Sequence, residues 1–318
     1  MSDGIRPRVA AIDCGTNSLR LLVADVGADG RLTDVVRRME IVRLGQGIDR
    51  TGVIAPEAMA RTLTVVGEYA EQCRSLEVER VRFVATSASR DARNAAEFVQ
   101  GVRSAFGDLD VAPEVVAGDT EARFSFTGAT GDLVASGVPG PYLVVDLGGG
   151  STELVRGTTG VEAARSVDVG SVRMTERHLG SDPPTRDQVD AARRDVRAAL
   201  DLVEEEVDLS GIGAVVGLAG TITTITAHAL QLPEYRPDAI HLARVPVSVH
   251  LAACESLVAM GHDERAALPY LHPGRVDVIA GGALVWAEVL SRAVERSPQA
   301  LVVTSEHDIL DGIALSLT

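Results

Sequence analysis

Lysine is absent from this sequence: all 30 basic residues are arginine. A P-loop, whose lysine sits on the phosphates, is excluded, and so is Schiff-base chemistry. Arginine remains a capable phosphate ligand through its planar fork of donors. Aromatic residues make up only 3%, with a single Trp, so Val, Ala and Leu must fill the cores. Cysteine is scarce. Cys14, Cys73 and Cys254 form no C-x-x-C pair, which argues against a disulfide framework and a cysteine zinc site and favours a reduced, cytoplasmic setting. No long apolar run is present. The longest uncharged stretch, residues 209–233, holds four Gly and four Thr and reads as strand, loop and helix rather than a membrane span. Arg6 and Arg8 precede an apolar run that breaks at Asp13, so no signal peptide is expected. Basic residues are outnumbered 30 to 45, a net charge of −15, which repels nucleic acid and anionic membranes at long range.

What is present is an ordinary globular balance, 46% hydrophobic and 24% charged, over 318 residues. At about 150 residues per domain, that length suggests two domains. Apolar runs at 9–12 and 19–26 flank a polar turn, a hairpin signature. Pro56 opens a helix carrying Met59, Leu63, Val66, Ala70 and Cys73 at helical spacing. A strand is expected over 81–86, Ser87 as an N-cap, and a helix over 90–99. A short strand at Val115-Val116 precedes a helix capped by Asp119. Ser136-Gly137-Val138-Pro139-Gly140-Pro141 is the best linker candidate. Beyond it come a hairpin over 142–156, a long amphipathic helix after Pro184, a strand at Val215-Val216, a helix over 221–230, two helices near 248–260 and 276–296, a strand over 301–304 and a last helix. Such alternation means α/β.

An internal repeat carries the chemistry. Ile12-Asp13-Cys14-Gly15-Thr16-Asn17-Ser18 superposes on Val145-Asp146-Leu147-Gly148-Gly149-Gly150-Ser151 at an offset of 133 residues, each motif sitting between two apolar strands. The expected architecture is two similar domains, each presenting one Gly-rich hairpin turn to a shared interdomain cleft. Glycine permits left-handed angles and close approach of a ligand. Successive N–H groups then line a concavity that binds an anion. The hydroxyls of Thr16, Ser18 and Ser151 add donors. Asp13 and Asp146, each ending a strand, are candidates to hold Mg2+. One such turn is weak evidence. Two copies point to phosphate.

Three further features agree. Arg90, expected in the first turn of a helix, opposes the macrodipole there, which a nearby anion would explain. Gly220-Thr221 opens a helix after a strand, a position suited to an anion. Glu121 lies at a helix start. The dipole alone accounts for an acid there, but one facing the cleft could orient and deprotonate a water. Glu153, an acid in an apolar strand two residues past Ser151, is a candidate for metal ligation or a share of the base role. For so acidic a chain to bind phosphate, arginines must cluster, with Arg43, Arg90 and Arg173 the candidates. The histidines show no H-x-x-x-H pair, and the His-Asp dipeptides at 262–263 and 307–308 lack the wider set an HD phosphohydrolase needs. They read as structural or surface residues.

These motifs, with Val42-Arg43-Leu44-Gly45-Gln46-Gly47, Ala85-Thr86-Ser87-Ala88-Ser89-Arg90, Gly118-Asp119-Thr120-Glu121-Ala122-Arg123 and Leu218-Ala219-Gly220-Thr221, run in the order of a known family. The chain resembles the exopolyphosphatase/guanosine pentaphosphate phosphohydrolase (Ppx/GppA) family, and most of all its short actinobacterial exopolyphosphatases, which lack C-terminal helical domains. The resemblance implies two actin-like domains of the ribonuclease H-like, ASKHA type. The first would span 1–138, rejoined by the C-terminal helix at about 305–318, and the second 139–304. It implies Mg2+-assisted release of orthophosphate from inorganic polyphosphate. It casts Glu121 as the base, Glu153 as a second essential acid and Asp146 on the metal side. Arg90, Asn17 and the 148–151 turn would contact phosphate. Asp119-Thr120-Glu121 departs from the acidic pair often found there. A homodimer is among the assemblies the resemblance allows. Guanosine pentaphosphate hydrolysis, an ATP-dependent kinase or actin-like ATPase, and a non-catalytic polyphosphate or alarmone sensor are the alternatives. Retention of both Glu121 and Glu153 weighs against the sensor.

Overall fold

A computed structural model describes residues 7–28 and 30–318. Arg6 and the rest of the first six residues, which the expected N-terminal domain includes, lie outside the described residues. The chain divides into two compact units, Met1–Gly128 with Ile309–Thr318, and Ala129–Asp308. The division falls inside the helix Gly118–Ala135, earlier than the linker signal at 136–141. A Gly/Pro stretch marks where a helix ends, not where packing changes along it. The last segment joins the first unit from Ile309 rather than 305.

The first unit is built on strands β1 (Arg8–Cys14), β2 (Ser18–Val26), β3 (Leu32–Ile41), β4 (Arg80–Ala85) and β5 (Glu114–Val115), in spatial order β3-β2-β1-β4-β5. β1–β2 and β2–β3 are antiparallel; β1–β4 and β4–β5 are parallel. The second unit repeats this with β6 (Tyr142–Leu147), β7 (Thr152–Gly157), β8 (Val161–Val167), β9 (Ala214–Leu218) and β10 (Leu301–Thr304), in order β8-β7-β6-β9-β10. Directions match: β6–β7 and β7–β8 antiparallel, β6–β9 and β9–β10 parallel. Two sheets with this order and these directions are the two similar domains that the sequence repeat anticipates, and the actin-like pair that the family resemblance implies.

The central strands are buried on both faces, as parallel strands between helices must be. In the first unit, Ala10, Ile12, Leu21 and Phe83 pack under the helices Pro56–Ser75 and Ala95–Phe106. The alternate residues Ala11, Leu22 and Val84 pack against Ile309, Leu310 and Ile313 of the C-terminal helix. In the second unit, Leu143, Val145 and Val215 meet Val196 and Leu200 of the helix Arg186–Glu204 and Trp286 of the helix Ile279–Arg296. Cys14, Cys73 and Cys254 are buried free thiols. No helix among the described residues is long and apolar enough to cross a membrane.

The C-terminal helix fixes the helix that bears Glu121. A β-carbon at Gly312 would lie 2.0 Å from the Phe124 carbonyl oxygen and 2.6 Å from its carbon. Both are backbone atoms that cannot step aside. Gly312→Ala is therefore expected to cost about 1–3 kcal/mol, the usual range for overpacking, and towards its upper end. Urea unfolding checks this, and an unmoved midpoint would contradict the close approach.

Candidate phosphate and hydrolysis site

In both units the candidate residues gather at the C-terminal ends of the central strands, where ligands of open α/β sheets sit. In the first, Gly15 N–H donates to the Ser18 carbonyl at 2.9 Å and closes the turn. The loop after β3 fastens the turn from outside. Val42 and Arg43 N–H donate to the Asn17 carbonyl (3.0 and 2.9 Å), and Gly45 N–H donates to the Thr16 carbonyl (2.8 Å). In a planar trans peptide the C=O and N–H point opposite ways. With the Thr16 carbonyl tied down, the Asn17 N–H is aimed away from that loop. Thr16 Oγ1 meets Ser87 Oγ at 2.7 Å and links the turn to the segment carrying Arg90.

Arg90 does not sit where the sequence suggests. The helix is Ser87–Asp91, with Arg90 in its last turn, and a second helix, Ala95–Phe106, follows. The dipole argument for an anion at Arg90 therefore fails, since a cation is favoured at a helix C-terminus. What holds Arg90 is a pair of contacts: Nη1 donates to the Val116 carbonyl (2.9 Å) and to Glu121 Oε2 (3.3 Å). Glu121, in the first turn of the helix Gly118–Ala135, is only 8% exposed. The two residues picked out separately in the sequence are thus one ion pair. Arg43 has a left-handed backbone (φ 50) at the fastening loop.

In the second unit, Gly148 N–H donates to the Ser151 carbonyl at 3.0 Å. Here the fastener is the start of the helix Ser171–His178. Ser171 N–H takes the Gly148 carbonyl (3.0 Å), Val172 and Arg173 N–H take the Gly149 carbonyl (2.8 and 3.1 Å), and Arg173 Nε takes the Gly150 carbonyl (2.7 Å). By peptide planarity, the N–H groups of Gly149, Gly150 and Ser151 then point the other way, three in succession. Left-handed backbone is not the reason for glycine here: neither Gly15 nor Gly148 has a positive φ. At Gly148 the reason is close approach, since a β-carbon would lie 3.1 Å from the Ser151 carbonyl.

The duplication also pairs the acids. In the first unit Asp13 faces Arg20 across the β1–β2 ladder, and Arg20 Nη2 and Nε donate to its Oδ2 at 2.7 and 3.0 Å. At the equivalent register of the second unit, Asp146 faces Glu153. Directly opposed residues have side chains on one face, about 4.5–5.5 Å apart at Cβ. Both carboxylates are buried, at 6% and 1% exposure, and Ser166 Oγ, next in the row on β8, donates to Glu153 Oε1 at 2.7 Å.

Gly220 and Thr221 open the helix Ala219–Ala229, beside Asp146, whose β9 neighbour is Leu218. Ala219 is left-handed (φ 67). A β-carbon at Gly220 would lie 2.0 Å from Arg275 Nη2, so the Arg275 guanidinium lies flat on this turn. The sequence reading missed Arg275, for its signal is tertiary. Nearby, the Tyr235 hydroxyl lies 2.7 Å from both Thr223 Oγ1 and Glu306 Oε1. Burial, then the Glu306 charge, raises its pKa above the ordinary phenol value. The first unit thus gathers Asp13, Gly15, Thr16, Asn17, Ser18, Arg43, Arg90 and Glu121. The second gathers Asp146, Gly148, Gly149, Gly150, Ser151, Glu153, Arg173, Gly220 and Thr221.

The model of the Ppx/GppA phosphatase family matches residues 22–317. The chain belongs to the Ppx/GppA phosphatase family. It is 52% identical over 315 residues, 98% of each chain, to a Mycobacterium tuberculosis protein named Exopolyphosphatase 2. A crystal structure of an exopolyphosphatase-like protein shares its fold at TM-score 0.94, with 43% identity over 98% of both chains. The Aquifex aeolicus member of the Ppx/GppA family matches at TM-score 0.78 and 29% identity, over 98% of this chain and 97% of that one.

Proposed function

We propose that this family member is an exopolyphosphatase, which releases terminal orthophosphate from inorganic polyphosphate. The observation that carries the proposal is the 148–151 turn, with three successive N–H groups turned outward beside the buried Asp146–Glu153 pair. The name of the mycobacterial relative supplies the substrate class.

Hydrolysis of a phosphoanhydride needs in-line placement of water, charge neutralisation and a group that orients the water. The turns at 15–18 and 148–151 hold phosphate oxygens through backbone N–H and hydroxyl groups. Arg43, Arg173, Arg275 and the Gly220-Thr221 helix start extend the grip. Glu121 orients the water, with Arg90 fixing its carboxylate, and takes the proton as oxygen attacks the terminal phosphorus. The bridging P–O bond breaks, leaving orthophosphate and a chain one unit shorter. Asp146 and Glu153 are hard oxygen donors on one face, the set Mg2+ accepts alongside water and substrate phosphate. When bound there, Mg2+ neutralises charge on the phosphate oxygens. Asp13 is the weaker metal candidate, because Arg20 already pairs with its Oδ2.

Phosphate release measured on polyphosphates of several lengths, guanosine pentaphosphate and ATP tests the reading. Polyphosphate is expected to be preferred. Preference for guanosine pentaphosphate would assign the sister activity, ATP the kinase or ATPase class, and no release from any of them a sensor. In the same preparation, polyphosphate affinity should fall steeply as salt rises, because phosphate contacts release counterions. Arginines elsewhere are committed to acids, as in Arg74–Asp108 and Arg292–Asp201, so the net charge of −15 does not describe the turns. Salt-independent affinity would contradict the phosphate contacts.

A further inference from the structure

Seven histidines are spread through the sequence without metal-ligand spacing, yet the second unit brings two of them onto one carboxylate. Asp132 lies in the last turn of the helix Gly118–Ala135, His241 directly follows the helix Pro237–Ile240, and His307 lies in the loop after β10. His307 Nδ1 is 2.6 Å from Asp132 Oδ2, and His241 Nε2 is 3.4 Å from the same oxygen. The two imidazole rings stand 4.7 Å apart at 46°. One donor atom from each residue falls within 4.8 Å of the others.

The backbone holds this arrangement in place. Leu242 N–H donates to the Thr304 carbonyl (2.7 Å) and Thr304 N–H to the Ala243 carbonyl (3.1 Å), which splices the His241 segment to the end of β10. The buried Ser305 hydroxyl accepts the His307 N–H at 3.0 Å and donates to its carbonyl at 2.8 Å. Leu242 itself is left-handed, at φ 59. Asp132 and His307 side chains are 44% and 43% exposed, which leaves an entry path and room for a fourth ligand.

We propose that Asp132, His241 and His307 bind one divalent transition-metal ion of the zinc class. The site uses no residue assigned to phosphate. Two imidazole nitrogens and one carboxylate, with a position left for water, is a zinc donor set. Magnesium and calcium prefer all-oxygen shells. Geometry agrees: a tetrahedral centre with bonds of about 2.1 Å separates its ligands by about 3.4 Å. The 3.4 Å from His241 Nε2 to Asp132 Oδ2 matches that edge, and the 2.6 Å from His307 Nδ1 is shorter. Binding through His241 Nε2 puts the ring proton on Nδ1, in exchange for the long 3.3 Å contact that Nδ1 now accepts from the Glu306 N–H.

The test is a titration of the full, untagged chain with ZnCl2 by calorimetry, and with CoCl2 by visible absorption. The wild type is expected to take one zinc per chain, and to give the intense d–d bands of tetrahedral cobalt. Loss of a single outer partner of a metal ligand typically costs 10–100-fold in affinity. His241→Gln/His307→Gln should therefore lose more than ~100-fold, and Asp132→Asn should also weaken binding. His262→Gln, which alters the separate contacts of His262 with Asp263 and Asp277, should bind as wild type does. Melting in EDTA establishes that each variant is folded, and Asp132→Asn decides the matter if the double variant is not. No zinc bound to the wild type, or equal affinity in wild type and variants, overturns the proposal.

Discussion

Glu121→Gln is expected to lower the rate of phosphate release by about 10²–10⁴-fold, the usual contribution of a positioned base. Glutamine keeps the length of the side chain and an oxygen that can accept from Arg90 Nη1, now 3.3 Å from Glu121 Oε2. Arg90 also keeps its 2.9 Å contact with the Val116 carbonyl, so the cation should not move. What is lost is the group that takes the proton. Polyphosphate binding at equilibrium should hold, or tighten, because a carboxylate facing phosphate has been neutralised. Steady-state release measured beside equilibrium binding separates the two effects. Near-native turnover in this variant would make Glu121 an ordinary acid at a helix start, paired with Arg90 for structure alone. Glu153 would then be the next candidate for the base.

The doubled architecture was legible in the sequence because the repeat falls on the two central hairpins. β1 and β6 are buried on both faces, and such strands read as unbroken apolar runs. The outer strands β3 and β8 were not legible. β3 (LTDVVRRMEI) is an edge strand with no buried residue, carrying Arg37 and Arg38, so it shows no clean alternation. Charge on an edge is how sheets avoid pairing with other chains, and it erases the strand signal. The helix over 90–99 failed for a local reason. Ala92, Arg93 and Asn94 break it, and Asn94 leaves the ladder to bond Ile54 through its side chain, accepting from its N–H and donating to its carbonyl.

At the site, the sequence picks out candidate residues but not their partnerships. Arg90 and Glu121 lie 31 positions apart, and only the fold brings the Arg90 side chain onto Glu121 and the Val116 carbonyl. Val42-Arg43-Leu44-Gly45 was recognisable as a motif, yet its work, holding the carbonyls of Thr16 and Asn17, appears only in the hydrogen bonds. Arg275 lies on Gly220 across 55 positions of chain, and His241 meets His307 in the same way. Contacts of this kind leave no periodicity to read. The repeat, by contrast, hid a difference in plain view. The residue two past the turn serine is Arg20 in one copy and Glu153 in the other. Only the ladder register shows that each faces the equivalent Asp.

That difference sets the second large effect. Glu153→Gln is expected to raise the Mg2+ concentration for half-maximal phosphate release by about 10–100-fold, and to cut turnover even at saturating Mg2+. Glutamine fits the same buried position and can keep the 2.7 Å bond with Ser166, so packing is preserved while one of two opposed carboxylates loses its charge. Like charges directly opposite across a ladder disfavour the fold. The unfolding midpoint without Mg2+ should therefore hold or rise as activity falls. A variant damaged in packing would instead lose stability and activity together. Titrating Mg2+ against release, beside urea unfolding in EDTA, separates the two. An unchanged Mg2+ requirement, or a midpoint that drops with activity, would show that Glu153 is a structural acid of β7. Asp146→Asn provides the matching arm. It should shift the Mg2+ requirement in the same direction, since the two carboxylates act on one face. The first unit supplies the contrast. Arg20→Gln removes the partner of Asp13, and should change stability without shifting the Mg2+ requirement, because there the repeat has already supplied a cation from the chain itself.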